Sequence, residues 1–148
     1  MLRAAFCATV FLASTFAFSQ SLPVKPGLWE NVVYGDDGKA GITALNCYTP
    51  TSFAEMMTKM RSDKNCHITK EDINSKGMTV DVSCSSPRVQ MTSHGVLEVV
   101  DSEHVKSTTN MKMTVQGKTK ESTMRAAAHF KSSNCGDVKP GDPKITSQ

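Results

Sequence analysis

Four cysteines constrain the fold of this chain more than any other feature. They are Cys47, Cys66, Cys84 and Cys135, and they remain if the chain loses its first 19 residues, which include Cys7. An even number of cysteines in a small exported domain is typical of two disulfides. A metal site would need close ligand pairs such as Cys-x₂-Cys, and these four cysteines are all widely spaced. We therefore expect a domain held by two disulfides, for which three connectivities exist.

A turn in the middle of the chain favours one of these connectivities. The segments on either side of Asn74–Gly77 have the composition of strands, and the tetrapeptide itself is typical of a turn. Pairing the residues next to this turn leaves Cys66 one residue away from the position opposite Cys84, and a β-bulge would correct the offset. We therefore favour Cys66–Cys84 and, by elimination, Cys47–Cys135. The alternative that joins Cys47 to Cys66 and Cys84 to Cys135 stays open.

The N-terminus has the three-part layout of a secretory signal peptide. Arg3 gives it a basic start, residues 4–13 are apolar, and small residues lead to a cleavage site between Ser19 and Gln20. The apolar run is shorter than the roughly 20 residues that a membrane-spanning helix needs. We expect residues 1–19 to be removed as a signal peptide, and the mature protein to lie in the periplasm without a membrane span.

The composition after cleavage argues against nucleic acid as a partner. Removing Arg3 from 17 basic residues leaves 16 against 14 acidic residues, a net charge of about +2, and no lysine or arginine cluster concentrates it. So weak a charge favours neither nucleic acid nor an anionic membrane surface. The remaining 129 residues (148 minus 19) fit a single domain.

Strand patterns dominate the sequence after residue 27. Two strands are expected first, at 28–34 and 42–48. Five later segments are rich in Val, Thr, Met and Ile and are separated by polar turns, at 66–73, 78–84, 88–100, 104–115 and 119–130. One helix is expected at about 50–61, between the second and third strands. Thr49 is its predicted N-cap, and its apolar face consists of Phe53, Met56, Met57 and Met60.

These elements predict a mainly β fold, α+β by element count. Seven antiparallel strands in sequence order suggest a curved meander that closes into a half-open, barrel-like sheet plugged by the helix. We expect residues 20–135 to form one β-rich, disulfide-bonded domain. Residues 136–148 have little apolar content, and we expect them to form an extended or mobile tail.

Three short motifs carry a resemblance to a known family. They are Pro-Gly-Leu-Trp-Glu at 26–30, Cys-Tyr-Thr-Pro at 47–50 and Asn-Cys-Gly-Asp at 134–137. With the order of the four cysteines, they resemble a family of exported bacterial proteins of unknown function. The resemblance spans nearly the whole mature chain and implies a periplasmic location and a β-rich fold. It implies no activity, cofactor or site residue. Relatives often carry Trp or Tyr before the last cysteine, where this chain has His129 and Phe130.

The sequence does not favour enzymatic activity. Nucleophilic catalysis needs a nucleophile, a base and an orienting group within reach of one another. The histidines lie in separate predicted strands without a nucleophile motif, at positions 67, 94, 104 and 129. We therefore expect a non-enzymatic protein with no catalytic residues and no cofactor.

A small-ligand-binding or envelope-maintenance role is the preferred functional hypothesis. Barrel-like sheets with an apolar mouth commonly hold a small apolar ligand. Trp29, Tyr34, Phe53 and Met57 are the candidate lining residues, although ordinary core packing explains the same four side chains.

Two further functions stay open. Thioether sulfurs suit Cu(I), and Met111 and Met113 share one strand face, with His94 as a candidate third ligand. Methionine as a flexible core filler, in a chain with few aromatic residues, explains the same residues more simply. A protein-interaction module is the other alternative, and its partner is unknown.

Overall fold

A computed structural model describes residues 22–147 and shows one antiparallel sheet with a helix on one face. The predicted signal peptide and its cleavage site lie outside the described residues. The elements are β1 (Gly27–Tyr34), β2 (Ala40–Tyr48), α1 (Ser52–Ser62), β3 (Cys66–Asn74), β4 (Gly77–Ser85), β5 (Val89–Asp101), β6 (His104–Val115), β7 (Lys118–Ser132) and β8 (Lys144–Ser147).

The sheet has the strand order β3-β4-β5-β6-β7-β1-β2-β8. The mainly β class and the helix between β2 and β3 are confirmed, and β8 is one strand more than the sequence predicts. The simple meander holds only from β3 to β7. The β1–β2 hairpin then packs beside β7, because β1 pairs with both β2 and β7. Because β1 pairs with β7, which lies far away in sequence, β7 has β6 on one side and β1 on the other. The sheet is open, and its edge strands are β3 and β8.

The β3–β4 hairpin contains the one-residue shift in strand register that its sequence predicts. Ile73 lies opposite Met78 next to the turn, as expected. The register then shifts between Ile68 and Lys70, so that Cys66 lies directly opposite Cys84. One extra residue at this bulge brings the two cysteines together.

Two disulfides are present, Cys47–Cys135 and Cys66–Cys84, which is the pairing that the sequence favours. The first joins β2 to the chain just after β7, and the second joins β3 to β4. Such disulfides are typical of an oxidising, extracytoplasmic environment. Among residues 22–147, no helix is long and apolar enough to cross a membrane.

Helix α1 begins at Ser52, two residues later than predicted. The Ser52 hydroxyl accepts a hydrogen bond from the Thr49 amide at 2.9 Å and lies 2.9 Å from the Thr49 hydroxyl. These bonds hold Thr49 and Pro50 in a turn before the helix, so Thr51, not Thr49, occupies the N-cap position. Phe53 and Met57 of the predicted apolar face are the buried side chains of α1, whereas Met56, predicted on the same face, is 42% exposed.

The core lies between α1 and one face of the sheet, which we call the helix-side face. Phe53 and Met57 join Val80 and Val82 of β4 in one cluster, together with Leu22 from the segment before β1. Met57 is only 2% exposed. Burying a side chain of this size contributes about 1.5–3 kcal/mol, so this cluster fixes α1 over the sheet.

The residues after Cys135, predicted as an extended or mobile tail, run back along β2. Val138 is buried, Pro140 forms a bridge with Cys47, and Lys144–Ser147 pair with β2 as β8. Every residue of β8 is exposed. A strand without a buried face needs no alternation of apolar and polar residues, so β8 lacks the sequence pattern by which strands are recognised.

Candidate functional site

An apolar cleft of about 560 Å³ opens between α1 and the helix-side face. We call it the α1 cleft. Its walls come from the helix, from the segment before β1, and from five strands of the sheet. Most lining side chains are apolar, and they include Leu22, Val24, Trp29, Phe53, Met56, Met60, Leu97, Val105 and Ala128.

Trp29 forms one wall because the Pro-Gly-Leu-Trp-Glu motif fixes the start of β1. Gly27 has a φ of +137°, and a Cβ there would lie 2.2 Å from the carbonyl oxygen of Ser132, so only glycine fits. The Trp29 indole is 4% exposed and donates a hydrogen bond to the Lys25 carbonyl at 2.9 Å. Phe130 meets its ring edge-on at 6.0 Å between centroids. The motif therefore positions a rigid aromatic side chain.

Tyr48, one of the lining residues, carries a polar atom without a partner. The hydroxyl of Tyr48 is buried and has no hydrogen-bond partner among residues 22–147. Burial raises the pKa of Tyr48 above its usual value of 10.0, because the charged form would lose its hydration. A buried hydroxyl without a partner costs about 1–3 kcal/mol. A bound molecule with a hydrogen-bonding group would remove this cost.

Charged side chains lie only on the helix side of this cleft. Glu55 and Lys59 are exposed and stand one helical turn apart on α1. Asn31 and Asn46 supply uncharged polar groups from β1 and β2. The cleft thus offers an apolar interior with a charged edge, an arrangement that suits a molecule with an apolar body and a polar end.

The structure brings together part of the predicted lining. Trp29 and Phe53 both line the α1 cleft. Met57 instead lies beneath the helix, in the packed core. Tyr34 is five residues from Trp29 on the same strand, so it faces the other side of the sheet, where it pairs with Arg125.

Sequence reasoning missed Tyr48, Leu97 and Val105 as lining residues. Tyr48 could have been found, because it follows a cysteine and precedes the helix that forms the opposite wall. Leu97 and Val105 lie on β5 and β6, and only the strand order shows that they face the same space as Trp29.

A second depression, of about 900 Å³, lies on the face of the sheet opposite α1, which we call the outer face. Its polar groups already bond to one another. His94 Nδ1 lies 2.5 Å from an Asp81 carboxylate oxygen, and the Thr123 hydroxyl donates to Asn110 at 2.8 Å. The Thr123 amide donates to Asp36 at 2.9 Å. A ligand here would have to replace bonds that the protein makes with itself, so we favour the α1 cleft as the site.

The predicted soft-metal set does not meet in space. Met111 and Met113 lie on the helix-side face, because they pair with Ser93 and Met91 on β5. His94 follows Ser93 along β5 and therefore points to the outer face, where it contacts Asp81. Within residues 22–147, no group of three His, Cys, Asp or Glu side chains could hold a metal ion. The combination of both methionines with His94 is therefore wrong.

Comparison with protein families identifies a match over most of the described residues. A family model described as a protein of unknown function (DUF3617) matches residues 24–135, about three quarters of the chain. The match begins just before β1 and ends at Cys135, so it includes both disulfides and α1. No curated protein and no solved structure matches the chain significantly.

Proposed function

We propose that this chain, which belongs to the DUF3617 family of proteins of unknown function, binds a small apolar molecule in the α1 cleft. The observation that carries the proposal is an open apolar space of about 560 Å³ beside a packed core. Ligand sites typically measure about 300–1,000 Å³ and are lined mostly by apolar and aromatic side chains. The α1 cleft meets both criteria.

The ligand that fits best is an elongated amphiphile such as a fatty acid. Its acyl chain would lie against Trp29 and Val105, where the walls are apolar. Its carboxylate would lie at the edge, within reach of the Lys59 ammonium group. The unpartnered Tyr48 hydroxyl would provide a hydrogen bond inside the cleft.

We further propose that the protein acts in the bacterial periplasm, after a signal peptide is cleaved near Ser19 and Gln20. The two disulfides support an oxidising compartment. In this setting a non-enzymatic protein that binds amphiphiles would serve envelope maintenance by carrying or sequestering them. The weak net charge supports neither nucleic acid nor a membrane surface as the partner.

Trp29 provides the test, because it is the only tryptophan in the chain and lines the cleft. Titration with dodecanoate should change its fluorescence in a saturable way, with one molecule bound per chain by native mass spectrometry. Ala128→Phe would fill the cleft from β7, and we expect it to weaken binding at least about tenfold, or about 1.4 kcal/mol.

Ala127→Phe is the matched control. Ala127 is adjacent on the same strand but pairs with Val32 and points to the outer face. It adds the same ring without entering the cleft, so affinity should stay unchanged. Equal affinity in both variants would refute binding in the α1 cleft, and so would the absence of saturable binding in the unmodified protein.

A further inference from the structure

A cluster of methionines lies on the helix-side face, beyond the cleft. Met91 on β5 lies directly opposite Met113 on β6, and Met111 is two residues before Met113 on the same face. Met124 on β7 lies opposite Thr109, which is two residues before Met111 on β6. Met111 therefore lies between the positions of Met113 and Met124 along the strand direction. We call these four residues the methionine patch.

Core packing does not explain the methionine patch. Met113 is 37% exposed and Met124 is 42% exposed, although methionine is usually buried as a core filler. Val115, next on the same face of β6, is also exposed. Flexible thioethers thus lie at the surface of three neighbouring strands.

We propose that Met91, Met111 and Met113 bind one Cu(I) ion through their thioether sulfurs. Directly opposite residues on antiparallel strands have Cβ atoms about 5 Å apart, and diagonal neighbours about 7–8 Å. Rotation about the Cα–Cβ and Cβ–Cγ bonds of each methionine moves its sulfur, so the three sulfurs can converge above the sheet. This site uses Met91 in place of His94, and it is independent of ligand binding in the α1 cleft.

The chemistry of the patch selects a soft, singly charged ion. Thioether sulfur is a soft ligand that suits Cu(I), whereas Ca²⁺ and Mg²⁺ require oxygen ligands. Lys120 lies opposite Met113 on β7, and Lys118 lies opposite Val115, so both face the same side of the sheet as the patch. Their positive charge repels a doubly charged ion twice as strongly as Cu(I).

Methyl NMR of the oxidised protein tests the site directly. The protein is labelled with [¹³C-methyl]methionine and titrated without oxygen with Cu(I) in buffer that contains acetonitrile, and separately with Ag(I), which needs no reductant. We expect the methyl signals of Met91, Met111 and Met113 to shift together and saturate at one ion per chain. The signals of Met56 and Met78 should not move.

Substitutions then distinguish the methionines that bind Cu(I) from those that do not. Met91→Leu and Met113→Leu keep the side-chain volume, and each should weaken Cu(I) binding at least about tenfold. Met56→Leu is the matched control, because Met56 is 42% exposed but lies on α1. Lys120→Gln should strengthen binding, since it removes a positive charge beside the site.

Three results would overturn the proposal. They are the absence of saturation at one ion, shifts at Met56 with none at the methionine patch, and unchanged affinity in both the Met91 and Met113 variants. Circular dichroism of each variant verifies that the sheet is intact, so that lost binding reports the lost sulfur. Because dodecanoate and Cu(I) are titrated separately, failure here leaves the cleft proposal untouched.

Discussion

Removal of the two disulfides should destabilise the protein by clearly different amounts. The Cys47–Cys135 bond spans 88 residues of sequence and the Cys66–Cys84 bond spans 18. A cross-link stabilises the folded state by reducing the conformational entropy of the unfolded chain, and this effect grows with loop length. The chain-entropy relation gives about 4.6 kcal/mol for the long loop and about 3.2 kcal/mol for the short one at 25 °C.

The structure supports a measurable difference between the two disulfides in their contribution to the free energy of unfolding. Cys66 and Cys84 lie opposite each other in a hairpin whose turn already brings them together. Cys47 and Cys135 lie on segments separated by β1, and the β1–β2 hairpin together with the long-range pairing of β1 with β7 brings them close. If the unfolded chain retains some hairpin structure, Cys66 and Cys84 already lie near each other in it. The Cys47–Cys135 disulfide then restricts the unfolded chain more than the Cys66–Cys84 disulfide does.

The assay is urea unfolding of two double-alanine variants, Cys47→Ala/Cys135→Ala and Cys66→Ala/Cys84→Ala. We expect the first to lose about 1.4 kcal/mol more of the free energy of unfolding than the second. The variant without all four cysteines should show a loss close to the sum of the two, with a small departure because the short loop lies inside the long one. Equal losses, or a larger loss for the short loop, would refute the entropic reasoning.

Three further predictions concern the packing of α1, the start of β1 and the Tyr48 hydroxyl. Met57→Ala should lower the free energy of unfolding by about 2–5 kcal/mol in urea titrations, whereas Met56→Ala on the exposed side should lower it by less than about 1 kcal/mol. Gly27→Ala should cost about 2 kcal/mol or more, since its Cβ would overlap backbone atoms, and Gly41→Ala, which has ordinary space, should cost far less. Tyr48→Phe should raise the midpoint of thermal unfolding, because it removes a buried hydroxyl without a partner, and should weaken dodecanoate binding in the same preparation.

Local sequence signals predicted most elements but not their arrangement. The seven predicted strands and the helix all exist, because apolar periodicity and turn residues act within a few positions. The place of β1 beside β7 depends on contacts about 100 residues apart in sequence, which no local pattern records. The exposed strand β8 lacks an apolar face, so its sequence is that of a loop.

The lining of the α1 cleft was less predictable from the sequence, because it depends on which strand faces pack against α1. Trp29 and Phe53 were expected at the cleft because barrel-like sheets with an apolar mouth commonly hold a small apolar ligand. Strand alternation alone would have removed Tyr34, which is an odd number of residues from Trp29. The separation of His94 from Met111 could not be predicted in this way, because it depends on the register between β5 and β6.

The central claim is that the α1 cleft holds the apolar body of a ligand. Intermolecular nuclear Overhauser effects from dodecanoate to methyl-labelled protein test it most directly. We predict contacts from the acyl chain to the methyl groups of Val105, Ala128 and Leu97, which line the cleft from three strands. Contacts confined to the exposed methyl groups of Val115 and Met124 would place the ligand on the open sheet face and contradict the claim.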